Sequence, residues 1–156
     1  TEVGSVNKIM GLIATIIGAL IGGSLLERLG LYRSLMVFGV LQGVSNLGFW
    51  LIAIAPQQIS LMALAVGLEN LCGGMGTAAF VALLMALCHK DFSATQFALL
   101  SAISAVGRTY LAGPLTPLVV DELGWANFFL ITVLIAVPGL LLLFWRRADI
   151  QRLDKY

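Results

Sequence analysis

The stretch GLENLCGGMGTAAFVALLMALC, residues 67–88, decides the class of this chain. Its only charged residue is Glu69, and no other charge occurs between Arg33 and Lys90. Apolar runs near or above about 18 residues read as membrane spans. Working outward, the whole chain has the same character. It is 60% hydrophobic and 11% charged over 156 residues, with a mean hydropathy of +0.99. Soluble domains carry roughly 25% charge, so water cannot be the only solvent here. A transmembrane barrel would need about ten-residue alternating segments, and the sequence has none. The expected fold class is an all-α membrane protein.

Five spans are expected: about 6–26, 34–55, 60–88, 94–119 and 126–145. Between them lie a polar loop ERLGLYR (27–33), a turn at Pro56–Gln58, a second polar loop HKDFSAT (89–95) and a short link DELGW (121–125). Ser93 and Gln96 have the spacing of a capping box. Pro114 and Pro138 are expected to kink their helices, and Gly113–Pro114 to be a hinge. Gly11, Gly18, Gly22 and Gly23 in the first span permit close helix approach, and Gly39 and Gly43 form a similar pair in the second. Lys and Arg favour the cytoplasmic side of short loops. Arg28, Arg33, Lys90, Arg146, Arg147, Arg152 and Lys155 all fall on one side of a five-span chain, and only Lys8 falls on the other. The tail 146–156 is therefore expected in the cytoplasm. Trp50, Trp125 and Trp145 fall near span ends. The opening TEVGSVNKIM has no initiator methionine and no signal-peptide pattern, so the chain is expected to be a piece of a longer protein.

A net charge of +1 gives no basic field for nucleic acid. Cys72 and Cys88 are sixteen positions apart, roughly 24 Å along a helix, and cannot bridge each other. No metal-ligand spacing, phosphate loop or nucleophile elbow occurs, and no cofactor is expected. His89 and Cys88 are adjacent, but neighbours on a helix point apart.

The first basic loop reads GSLLERLGLYR, with Gly23, Glu27, Arg28, Gly30 and Arg33 at set spacings. It resembles the signature loop of the major facilitator superfamily of transporters, which follows the second helix of each six-helix half. Leu31–Tyr32 departs from the pattern, where a more basic pair is usual. The resemblance implies that the spans are helices eight to twelve of a twelve-helix core, a partial C-terminal half-bundle. The third span would then line the central cavity and the fifth would be peripheral. The runs ENLCGGMGTAAFVALLMALC (69–88), FSATQFALLSAISAVGR (92–108) and GVLQGVSNLGFWL (39–51) resemble the bacterial muropeptide permease family, AmpG. That family implies proton-driven import of anhydro-muropeptides across the inner membrane for peptidoglycan recycling. The implied partners are a glycopeptide substrate, protons, the bilayer and the missing N-terminal half.

Glu69 is about nine residues, or roughly 14 Å, into its span. A charge at mid-bilayer costs roughly 2.5–3.5 kcal/mol on insertion scales. Glu69 must be protonated, paired or in a wet cavity. Arg108 is at similar depth on the next span and shares a face with Ser101 and Ser104. Glu69, with Asn70 beside it, shares a face with Gly73, Gly76 and Phe80. Three arrangements stay open. Glu69 and Arg108 line a translocation path, as proton site and anion holder; they form a structural pair; or each has its partner in the absent half. The polar stripe Gln42, Ser45, Asn46 and Phe49 reads as interhelical bonding rather than substrate contact. A carrier of another solute such as an acyl-CoA, a membrane-embedded enzyme and an assembly subunit are the other function classes.

Overall fold

The computed structural model describes residues 2–54 and 59–153, and for residues 2–7, 53, 54, 59, 90, 108 and 111–115 the backbone alone. Helix α1 spans Glu2–Leu29, α2 Leu31–Ile54, α3 Ile59–Leu87, α4 Ser93–Val106, α5 Gly113–Trp145 and α6 Arg147–Leu153. A 3₁₀ turn, Lys90–Phe92, leads into α4, and a π turn, Gly107–Ala112, leads out of it. No strand occurs among the described residues. Four helical segments are long and apolar enough to cross a membrane: Lys8–Leu29, Leu31–Ile52, Ser60–Leu87 and Thr116–Trp145. Ser93–Val106 is a shorter apolar helix.

The connections are tighter than the charges suggest. The expected polar loop 27–33 reduces to Gly30, which takes φ 79°. Its N–H donates to the Leu26 carbonyl at 3.0 Å, and its own carbonyl accepts from the Ser34 N–H at 3.1 Å. One left-handed residue thus ends α1 and starts α2. The expected link 121–125 is also helical except at Gly124, where φ 77° and ψ 165° break α5 into two arms. The expected capping box is not formed. Gln96 Oε1 instead accepts the His89 N–H at 2.6 Å, and His89 Nδ1 accepts the Asp91 N–H at 3.4 Å. Pro114 follows the π turn after Gly113. Its ring nitrogen has no proton for the carbonyl four residues back, a defect that a wide turn accommodates. Pro117 and Pro138 sit within helical backbone in α5.

Helix α3 is central: α1 packs along one side of it, α2 along another, and α5 covers α2. The α1–α3 crossing is backbone against backbone. A Cβ on Gly18 would run into the Leu71 carbonyl, one on Gly74 into the Thr15 carbonyl, and one on Gly22 would come within 2.7 Å of Met75 Cα. Close approach of this kind replaces the hydrophobic effect as the force between helices in lipid. Gly23, expected to share that role, has no neighbour within 4 Å. On α2, Gly39 meets Leu140 of α5 while Gly43 meets nothing. Phe49 stacks on Phe129 with centroids 5.3 Å apart, and Ser45 is buried with its hydroxyl donating to the Gln42 carbonyl at 2.9 Å. The stripe on α2 therefore serves packing for most of its length.

Burial concentrates at the end where α1 meets α2. Leu31, Leu35 and Phe38 pack there with Cys72, Met75 and Ala79 of α3 and with Ile150 of α6. The tail is thus anchored up to Leu153: Ile150 is 7% exposed, and the Arg147 guanidinium lies 5.8 Å from the Tyr32 ring centre. Elsewhere the large apolar side chains face outward, with Leu20 70% and Ile135 69% exposed, as a lipid-facing surface requires. Helix α4 has no buried residue and touches α3 only lightly.

Candidate functional site

Helix α3 has two polar faces. Asn70 turns toward α1, where its Oδ1 accepts from Thr15 Oγ1 at 3.2 Å and its Nδ2 donates to the Val66 carbonyl at 2.8 Å. Gly11 makes room for it: a Cβ there would stand 3.1 Å from Asn70 Nδ2. The Thr15–Asn70 bond crosses between helices and ties α1 to α3, as polar side chains do in membrane bundles.

Glu69 lies about 100° around the helix from Asn70. It is half-buried and makes no hydrogen bond or ion pair with another described residue. The surface beside it is open. Gly76 has nothing within 4 Å, and Gly73 meets only Gln42 Oε1, 3.5 Å from where a Cβ would stand. That oxygen is itself buried without a hydrogen-bond partner among the described residues. The carboxyl and the amide oxygen thus stand on adjoining helices, both without a donor.

Of the expected path residues on the fourth span, Ser101 is half-buried and Ser104 exposed. Their hydroxyls donate to the Ala98 and Ser101 carbonyls at 3.0 and 2.8 Å, within the helix. The side chain of Arg108 lies outside the described residues; its backbone is in the π turn. The structure therefore brings Asn70 together with Thr15 and leaves Glu69 half-buried, with no hydrogen-bond or ion-pair partner among the described residues. Sequence reasoning missed Thr15 and Lys8. The available signal was the α1 stripe Lys8, Gly11, Thr15, Gly18 and Gly22, at spacings of three and four.

In the signature loop, Glu27, Arg28 and Arg33 are exposed, Gly30 is the corner and Gly23 is unconfined. A side chain at φ 79° costs roughly 1–2 kcal/mol. Gly30→Ala is therefore expected to lower the stability of the whole protein by about that amount, and Gly30→Asn by less. Thermal unfolding in detergent measures it. Equal stability of Gly30→Ala and wild type would remove the left-handed corner.

A family model for the Major Facilitator Superfamily matches residues 1–154. The chain is 59% identical over 150 residues to the "Anhydromuropeptide permease" of Escherichia coli K12, covering 96% of this chain and 30% of that protein. It is 35% identical over 153 residues to "Putative transporter AmpG 4" of Rickettsia conorii, covering 96% of this chain and 36% of the relative. A third relative, "Putative transporter AmpG 1" of Rickettsia prowazekii, is 34% identical over 142 residues, covering 91% and 32%. The chain spans about a third of the length of these curated relatives. With its long apolar helices, it is a multi-pass membrane protein.

Proposed function

The chain belongs to the major facilitator superfamily, and from that premise we propose that the protein it forms part of imports anhydro-muropeptides across a bacterial inner membrane, coupled to protons. The observation that carries this reading is the 59% identity, over 96% of the chain, to a protein named anhydromuropeptide permease. The activity is secondary transport, not enzymatic turnover. The acyl-CoA alternative has no counterpart among these relatives. The chain supplies part of the C-terminal half-bundle, with the basic corner at Gly30 and the tail in the cytoplasm, as the positive-inside rule requires.

The mechanism is alternating access by rocking of two half-bundles around a site near the midplane. Glu69 is the proton-carrying group, since an acid on an open, glycine-flanked face of α3 has access to a cavity shared with the other half. Arg108 holds an anionic group of the substrate, and Ser101, Ser104 and Asn70 line the path. A proton or substrate shifts the inward–outward equilibrium only by its differential affinity for the two states. Glu69 meets this condition if it is exposed to the outer medium in one state and to the cytosol in the other.

The test is uptake. In cells lacking their own muropeptide permease, the full-length protein is expected to restore accumulation of a labelled anhydro-muropeptide, and a protonophore to abolish it. Restored accumulation that ignores the protonophore would remove the proton coupling, and no uptake at all would remove the substrate.

A further inference from the structure

A second polar recess opens beside Asn70. It has a volume of about 340 Å³ and is walled by Lys8, Gly11 and Leu12 of α1 and by Val66 and Asn70 of α3. It differs in kind from the larger groove of about 570 Å³ between the same two helices, which is lined by Met10, Ile13, Ile17, Leu64 and other mainly aliphatic residues. We propose that Lys8 and Asn70 form a carboxylate subsite, which receives an acidic group on the peptide part of the substrate; the inference rests on the transport reading above.

Three observations carry it. Asn70 is fixed rather than free, because Thr15 Oγ1 and the Val66 carbonyl hold its amide at both ends. An amide nitrogen has two protons, and only one is used at Val66, so one N–H stays available. Gly11 lets α1 close on that amide, since a Cβ there would stand 3.1 Å from Nδ2, and the amide also lines the recess that Lys8 reaches. Lys8 is exposed and pairs with no acid among the described residues. Among the described residues no acid lines the recess, and Glu69, although next in sequence, lies about 100° away around α3. An ammonium beside a fixed amide N–H is a donor pair for one carboxylate. An apolar or cationic group would leave both donors unmatched.

Lys8 also stands nearly one helical turn outward from the Gly11–Asn70 contact, since the three-residue step from Lys8 to Gly11 rises about 4.5 Å. A substrate entering from that side meets the ammonium first and the fixed amide second. The position separates this subsite from Arg108, which is on another helix. A glycopeptide with several carboxylates can therefore be held at two points, which orients it along the path.

The experiment compares two probes on the full-length protein in proteoliposomes: an acidic anhydro-muropeptide and the same glycopeptide with its carboxyls amidated. Lys8→Gln is expected to weaken binding of the acidic probe about tenfold, the scale of one charge-assisted hydrogen bond, and to leave the amidated probe within about twofold. Lys8→Arg should keep most of the affinity for the acidic probe, and Thr15→Val, which frees the Asn70 amide, should weaken it by a smaller factor. Binding of the amidated probe doubles as a check that each variant is folded. An unchanged ratio between the probes in Lys8→Gln overturns the subsite, and is the result for a lysine that meets only lipid headgroups. A parallel loss for both probes in a Lys8→Gln variant whose thermal unfolding matches wild type overturns it too. A wild type that binds neither probe overturns the transport reading itself, and the subsite with it.

Discussion

Glu69→Gln is expected to reduce concentrative uptake to equilibration, with an accumulation ratio near one, while exchange of labelled for unlabelled substrate persists. Glutamine has the shape of the acid and can hydrogen-bond, but it cannot carry a proton between two sides. Glu69 lies ten residues after Ile59, the start of α3, or roughly 15 Å along the axis. At such depth an ionised carboxylate facing lipid costs several kcal/mol, yet no cation among the described residues pairs with it. The missing Cβ atoms at Gly73 and Gly76 keep its flank open. A group so placed is suited to change its charge, and Asp in its place should retain part of the uphill activity. Uphill uptake by Glu69→Gln equal to wild type would remove Glu69 from the coupling.

The second large effect is on assembly. Gly18→Ala and Gly74→Ala each place a methyl group onto the backbone of the facing helix, at the Leu71 and Thr15 carbonyls respectively. Over-packing of a tight contact costs typically 1–3 kcal/mol, and a backbone cannot turn aside as a side chain can. Each variant is expected to lose at least about that much stability, and Gly18→Leu to leave little folded protein. Gly43→Ala is the control. It has no neighbour within 4 Å, and alanine in a helix interior is favoured over glycine by roughly 0.5–1 kcal/mol. Thermal unfolding of the full-length protein in detergent ranks the three. Equal midpoints for Gly18→Ala and Gly43→Ala would mean that α1 and α3 do not cross where the structure puts them.

The helical class, the glycine stripe of α1 and the family were legible in the sequence, because each rests on local composition or on a contiguous motif. The corners were not. Glu27–Arg33 and Asp121–Trp125 read as loops because they are polar, but polarity marks where water begins and does not end a helix. Only the backbone ends it, and Gly30 and Gly124 do so with one residue each. Gln96 had the spacing to cap Ser93, and its carbonyl oxygen reached His89 instead, a choice made by the path of the chain across the corner. Lys8 entered the sequence reading only as the one basic residue on the side opposite the basic loops. Only the crossing of α1 over α3 sets it above Asn70, and a crossing angle is not written in either helix alone.

The packing of Ile150 into the cluster with Leu31, Leu35 and Phe38 bears on how the sidedness of this protein can be measured. Reporter domains are commonly joined behind the last span to learn which compartment receives them. A junction placed at Trp145 would cut away α6 and open the cluster that Ile150 fills. The reporter would then describe a molecule without its clasp. Junctions beyond Leu153 keep that seat intact, so a fusion made there reads the orientation of the protein as it folds.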